Sequence, residues 1–168
     1  MRLGAARRRV TMELDRADLT LLELLQRDGR ATVQALSEAI HLSARATLNR
    51  VRRLEREGAI AGYRALVSRK AAGEPISVFA EVALKDQRQA GVQRFERRMA
   101  QAREVVGCWV VSGRYDYLVR VACPTLERYH ELINAWLDDS ALGIEKIVTN
   151  IELATVKEFA GFPVARTR

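Results

Sequence analysis

Between Ser43 and Arg53 the chain gathers side chains that can read and hold nucleic acid. A guanidinium forks onto guanine O6 and N7, a carboxamide pairs with adenine, and a threonine methyl meets the thymine methyl. Arginines further along such a helix more often hold phosphates. On this chemistry Ser43, Arg45, Thr47 and Asn49 are candidates for base edges, and Arg50, Arg52 and Arg53 for the backbone. The alternative is a solvated charged face on a three-helix bundle, with Arg50 or Arg56 pairing with Glu55 or Glu57 of another copy. Catalysis has little to stand on. His41 and His130 are isolated, Asp138-Asp139 reads as a solvated turn, and there is no Gly-rich phosphate loop, metal-ligand spacing or nucleophile–base pair. No catalytic residue, metal or cofactor is expected.

The charge distribution agrees with a polyanionic partner. The net charge is +7 over 168 residues. Residues 1–70 hold 15 of the 28 basic and 8 of the 21 acidic side chains, so the whole excess lies there. Neutralising phosphates releases counterions, which makes double-stranded DNA the favoured partner for this half. The basic start, with Arg2, Arg7, Arg8 and Arg9, lacks an apolar stretch after it and does not read as a secretory signal. No run reaches the roughly 20 apolar residues of a membrane helix. Cys108 and Cys123 lie in apolar runs without metal-type spacing, which suggests two thiols in a reducing cytoplasm; a disulfide between them is the alternative.

The elements that must position these residues are legible in order. Asp15 and Asp18 form a capping box ahead of a helix with Leu19, Leu22 and Leu25 inside, and Gly29 is expected to end it in the left-handed conformation. Thr32 caps a short second helix carrying Val33, Leu36 and Ile40. Ser43 caps a third with Leu48, Val51 and Leu54 inside and Gly58 at its end. Three such helices with tight turns suit a helix-turn-helix, whose last helix enters the major groove. Residues 60–67 read as a short extended segment, and 69–75, with Gly73 and Pro75, as part of a linker. Strands are expected over 78–84, 105–111, 117–122 and near 147–153, with helices around Phe95 and around Tyr129. The order βαββαβ is that of a ferredoxin-like sandwich. Its helices cover one sheet face, so the other is expected to find a second copy.

Several of these stretches together resemble the Lrp/AsnC (leucine-responsive, feast/famine) family of transcriptional regulators. They are Leu14-Asp15-x-x-Asp18, Leu25-Gln26-x-Asp28-Gly29-Arg30, Leu36-Ser37-Glu38, Leu42-Ser43, Arg50-Val51-x-x-Leu54-Glu55-x-x-Gly58-x-Ile60-x-Gly62-Tyr63 and Val111-Ser112-Gly113-x-x-Asp116-Tyr117. The likeness runs in register over about 14–160. It implies an α+β protein with a winged-type helix-turn-helix followed by a ferredoxin-like sensor and oligomerisation domain. It also implies homodimers assembling into octamers or similar rings, DNA binding, and response to an amino acid or related metabolite. Carried over by position, the effector residues are Ser112, Gly113, Arg114, Tyr115 and Asp116 in the turn, with Thr149 and Ile151 contributed across a subunit contact. Gly113 would let backbone amides reach a carboxylate, and Asp116 would hold an ammonium group; a plain hairpin turn and a packed strand residue are the alternatives. Where the family has Ser-Pro-Thr-Pro, this chain has Ser43-Ala44-Arg45-Ala46, so its operator cannot be borrowed from relatives.

The expected partition is a basic arm at 1–11, the DNA-binding domain at 12–62, a linker at 63–75, the sensor domain at 76–160 and a tail at 161–168. The rival functional reading is an amino-acid-binding sensor or regulatory module that does not touch DNA.

Overall fold

A computed structural model describes residues 13–86 and 88–164. The arginine arm expected at 1–11 and the last four residues of the expected tail lie outside them. The described chain divides into two compact units: residues 67–156 form one, and the chain before Val67 together with that from Lys157 onward forms the other. No described helix is long and apolar enough to cross a membrane.

The first unit contains α1 (Arg16–Arg27), α2 (Val33–Ile40) and α3 (Ala44–Arg56). Each start is set by the expected cap. The Asp15 carboxylate accepts from the Asp18 amide at 2.9 Å and the Asp18 carboxylate accepts from the Asp15 amide at 3.1 Å; Thr32 and Ser43 cap α2 and α3. Leu21, Leu36 and Leu54, one from each helix, form the buried centre. Gly29 departs from expectation: it is not among the glycines with positive φ, and α1 ends on an extended Asp28. Its surroundings are close and its backbone is not left-handed. A Cβ there would sit 3.2 Å from the Tyr63 ring, whose hydroxyl donates to Glu55 at 2.9 Å. Gly58 does end α3 with φ +80. Residues 61–68 form no strand.

The second unit has the βαββαβ order: β1 (Ile76–Leu84), α4 (Gln89–Gln101), β2 (Val105–Val110), β3 (Tyr117–Cys123), α5 (Leu126–Asp138) and β4 (Ile144–Ile151). The sheet order is β2-β3-β1-β4 and every pairing is antiparallel. Alternation along β1 sends Val78, Ala80, Val82 and Leu84 to the helix-covered face, where they meet Val119, Val121, Phe95, Tyr129 and Trp136. The opposite face carries Phe79, Arg120, Leu118 and Trp109, with Trp109 49% exposed. Gly107 has no room for a side chain because the Trp109 indole lies over it. Cys123 is buried and Cys108 half-buried; both are free thiols, and burial pushes Cys108 up to about 11.

The linker is more ordered than its composition suggests. Residues 68–75 close a tight turn in which Glu74 N–H donates to the Arg69 carbonyl at 2.8 Å and Arg69 donates to the Pro75 carbonyl at 2.7 Å. Arg69 also lies 3.8 Å from Glu152, just past β4, whose carboxylate is 8% exposed. Arg120 of β3 donates to the same carboxylate at 2.8 Å, and Thr155 does so from the other side. The Ser77 and Thr155 hydroxyls and the Arg120 guanidinium hold the Glu152 carboxyl down at about 2.

A depressed carboxyl stabilises the fold above its unfolded value and loses that contribution as pH falls through its folded value. Stability of this unit should therefore decline between pH 4.5 and about 2. Both tryptophans, Trp109 and Trp136, lie in this unit, so their fluorescence in urea titrations reports it. Glu152→Gln should lower stability at neutral pH and flatten the decline; an equally steep acid loss in the variant would contradict the assignment.

Candidate functional site

The helical period of α3 sorts its side chains into three sets. Arg45, Asn49, Arg52 and Arg56 recur at helical spacing on one exposed stripe. Ser43 and Ala44 are exposed at its start, with the Ser43 hydroxyl accepting from the Ala46 amide at 3.3 Å. Arg45 and Arg52 make no ion pair among the described residues, whereas Arg56 reaches Glu57 at 3.1 Å. The outward side is thus cationic, with one carboxamide among the guanidiniums.

The second set faces α1. Asp18 is fully buried, and a buried carboxylate needs both charge and hydrogen-bond partners. Arg50 donates to one oxygen at 2.9 Å and Arg53 to the other at 2.5 Å. Arg50 also reaches Asp15 at 2.7 Å, and Arg53 Nε is buried without a partner among the described residues. The Asp18 amide, then Arg50, hold the Asp15 carboxyl below its ordinary 3.8. The guanidiniums of Arg50 and Arg53 are thus engaged with Asp15 and Asp18 at the start of α1, while their side chains remain 29% and 37% exposed. Arg52, between them in sequence, projects the other way.

Thr47 belongs to the third, inward set and is a correction. It is completely buried, and its hydroxyl donates to the Ser43 carbonyl at 3.0 Å, so it presents no methyl to a groove. Of the seven expected DNA residues, the structure brings Ser43, Arg45, Asn49 and Arg52 onto one exposed surface, pairs the half-buried Arg50 and Arg53 with the carboxylate of Asp18, and buries Thr47. Sequence reasoning left Arg56 off the face, though its spacing from Arg45, Asn49 and Arg52 already placed it there. By sequence alone Asp18 is only part of a helix cap.

In the second unit Ser112, Gly113 and Arg114 are exposed between β2 and β3, with Gly113 at φ +126. The Arg114 guanidinium lies 5.6 Å from the Tyr115 ring centre. Asp116 is the pillar of this turn. Its carboxylate accepts from the Leu84 amide at 2.8 Å, its own amide donates to the Val82 carbonyl, and its carbonyl accepts from Val111. Thr149 stands opposite Ala80 and shares a 2.8 Å hydrogen bond with the Tyr129 hydroxyl; Ile151 stands opposite Val78. From Leu84 to Ala80 and Val78 is four and six residues of strand, on the order of 13 and 20 Å. One chain therefore does not bring the turn together with Thr149 and Ile151.

Comparison with known proteins extends this geometry. Residues 14–61 match the family model for winged helix-turn-helix DNA-binding, and residues 77–162 that for the Lrp/AsnC ligand binding domain. The transcriptional regulatory protein DoeX of Halomonas elongata is 42% identical over 87% of this chain and 92% of its own length. A leucine-responsive regulatory protein of Rhizobium meliloti is 35% identical over 89% of this chain and 95% of its own. Among solved structures, a Neisseria meningitidis transcriptional regulator in complex with L-methionine superposes with a TM-score of 0.80 at 25% identity, covering 87% of this chain and 94% of that one.

Removing Asp18 takes away the carboxylate of Arg53, whereas Arg50 keeps Asp15. Asp18→Ala should destabilise the helical unit by about 1–3 kcal/mol, read by calorimetric unfolding of the full chain. Arg50→Ala should cost less, since Arg53 remains on the carboxylate. Equal and negligible losses in both variants would show that this cluster does not hold α3.

Proposed function

Because the chain belongs to the Lrp/AsnC family of transcriptional regulators, we propose a division of labour among its residues that follows from which side chains face out. The protein is a DNA-binding transcriptional regulator that carries a ligand-binding domain and responds to a small molecule. Ser43, Arg45 and Asn49, at the start of α3, read base edges. Arg52 and Arg56, further along the same stripe, hold phosphates. Arg50 and Arg53 act through Asp18 and fix the angle at which α3 is presented. The observation that carries this reading is the exposed stripe of α3, whose Arg45 and Arg52 have no ion-pair partner among the described residues.

The effector is an amino acid, bound where the turn 112–116 of one subunit meets Thr149 and Ile151 of another. Two things support this. These two groups lie far apart along the sheet of one chain, and the Neisseria relative was solved with L-methionine. The exposed sheet face with Phe79, Leu118 and Trp109 pairs two copies, and dimers build an octamer or a similar ring. A dimer places two α3 helices in successive major grooves, so the operator is roughly palindromic.

Competition gel shifts test the assignment on genomic fragments selected by the protein itself. Arg45→Ala should lose about 1–3 kcal/mol of discrimination between operator and random duplex. Arg52→Ala should weaken both about equally and reduce the slope of log K against log salt by about one. If Arg45→Ala left the operator preference untouched, the base-contact role would fall. Calorimetric titration with each of the twenty amino acids should find one or a few that bind the full chain, and Thr149→Ala should weaken that binding several-fold. Binding unaffected by both Thr149→Ala and Gly113→Val would remove the effector from this contact.

A further inference from the structure

The chain passes between the two units twice, once through the linker and once after β4. Both passages begin at one buried carboxylate. Arg69 of the linker turn and Thr155 of the outgoing chain both reach Glu152, which Arg120 ties to β3. The Glu152 amide also donates to the Ser77 carbonyl at 2.9 Å, so the root of the outgoing chain is fastened to β1. Beyond it Leu153 is 94% and Val156 fully exposed, which leaves that stretch without apolar anchoring.

From Lys157 onward the chain belongs to the helical unit. Gln26, in the last turn of α1, donates to the Phe162 carbonyl at 3.1 Å. Gly161 has φ +112, and its backbone passes so close to the Gln26 carboxamide that any Cβ would run into it. The Phe159 and Phe162 rings pack edge to face at 5.1 Å and brace this short segment. α1 is also the helix whose Asp15 and Asp18 hold Arg50 and Arg53 of α3.

We propose that residues 152–164 are an intrachain strap, rooted at Glu152 and seated on Gln26, through which the sensor unit acts on α1 and hence on the recognition helix. Its seat is one exposed side chain-to-backbone hydrogen bond beside a glycine whose φ of +112 disfavours other residues. Such an attachment opens and recloses far more readily than a buried interface. The strap therefore gives the sensor a second mechanical route to α3, separate from the linker, that can be engaged or released without unfolding either unit.

The test uses the full-length protein and needs no effector. Amide hydrogen exchange is measured for wild type, Gln26→Ala, Gly161→Val and the double variant, together with affinity for a duplex selected by the wild-type protein. Each single variant should speed exchange over 157–164 and the last turn of α1 by about tenfold, leave β3 unchanged, and shift DNA affinity by a common factor. The double variant should shift it no further, because either change opens the same seat. Glu152→Gln should loosen 157–164 and the linker turn together. The strap is refuted if exchange over these segments is unchanged, if DNA affinity does not move when exchange does, or if the two single-variant effects simply add. Loss of DNA binding by Arg45→Ala with the strap intact would separate a failure of this coupling from a failure of the DNA-contact assignment.

Discussion

A carboxylate taken out of water on α1 organises the helical unit. Asp18 has no exposed surface, and two arginines from α3 and the Asp15 amide satisfy it. Such a cluster is weak evidence of net stability, because burying the charges costs nearly as much as their attraction returns. Its value is directional. Two guanidiniums three residues apart converge on one carboxylate, and together with the leucine core they leave Arg45, Asn49 and Arg52 outward.

The sensor unit repeats the device on a sheet. Glu152 draws together the linker through Arg69, β3 through Arg120 and the outgoing chain through Thr155. Asp116 plays a similar part at the other end of β1, where its carboxylate holds the Leu84 amide and its backbone joins Val82 to Val111. The places where the chain enters, turns and leaves are thus fixed by acidic side chains bonded to backbone or arginine. The exposed α3 stripe and the exposed 112–114 turn are held by this hidden scaffolding and do not contribute to it.

These arrangements also explain why a helix rich in arginine is a poor guide to its own contacts. Arg50, Arg52 and Arg53 are chemically equivalent and nearly adjacent, yet two neutralise a neighbouring helix and one faces solvent. Helical period separates Arg52 from the others, but it cannot say which side the partner helix occupies. That depends on where Asp18 comes to rest, and Asp18 is more than thirty residues away in sequence.

Local chemistry made much of this protein readable in advance. Side chains of Asp15, Thr32 and Ser43 cap whichever helix follows them, and alternation along β1 and β3 assigns their two faces, because both effects act over a few neighbouring residues. The order βαββαβ and the three helices of a helix-turn-helix followed from such signals strung together, while the winged type was what the family resemblance implied. What needed the tertiary structure depends on residues that meet only after folding. Gly29 lies close under the Tyr63 ring and is not in a left-handed turn. Thr47 is buried because Leu21, Leu36 and Leu54 draw that side of α3 inward. Glu152 and Gln26 each look like ordinary surface residues until Arg120 and Phe162 arrive from distant parts of the chain. Short-range sterics and hydrogen bonding are written residue by residue, whereas the partner of a buried charge is chosen by the packing of whole elements.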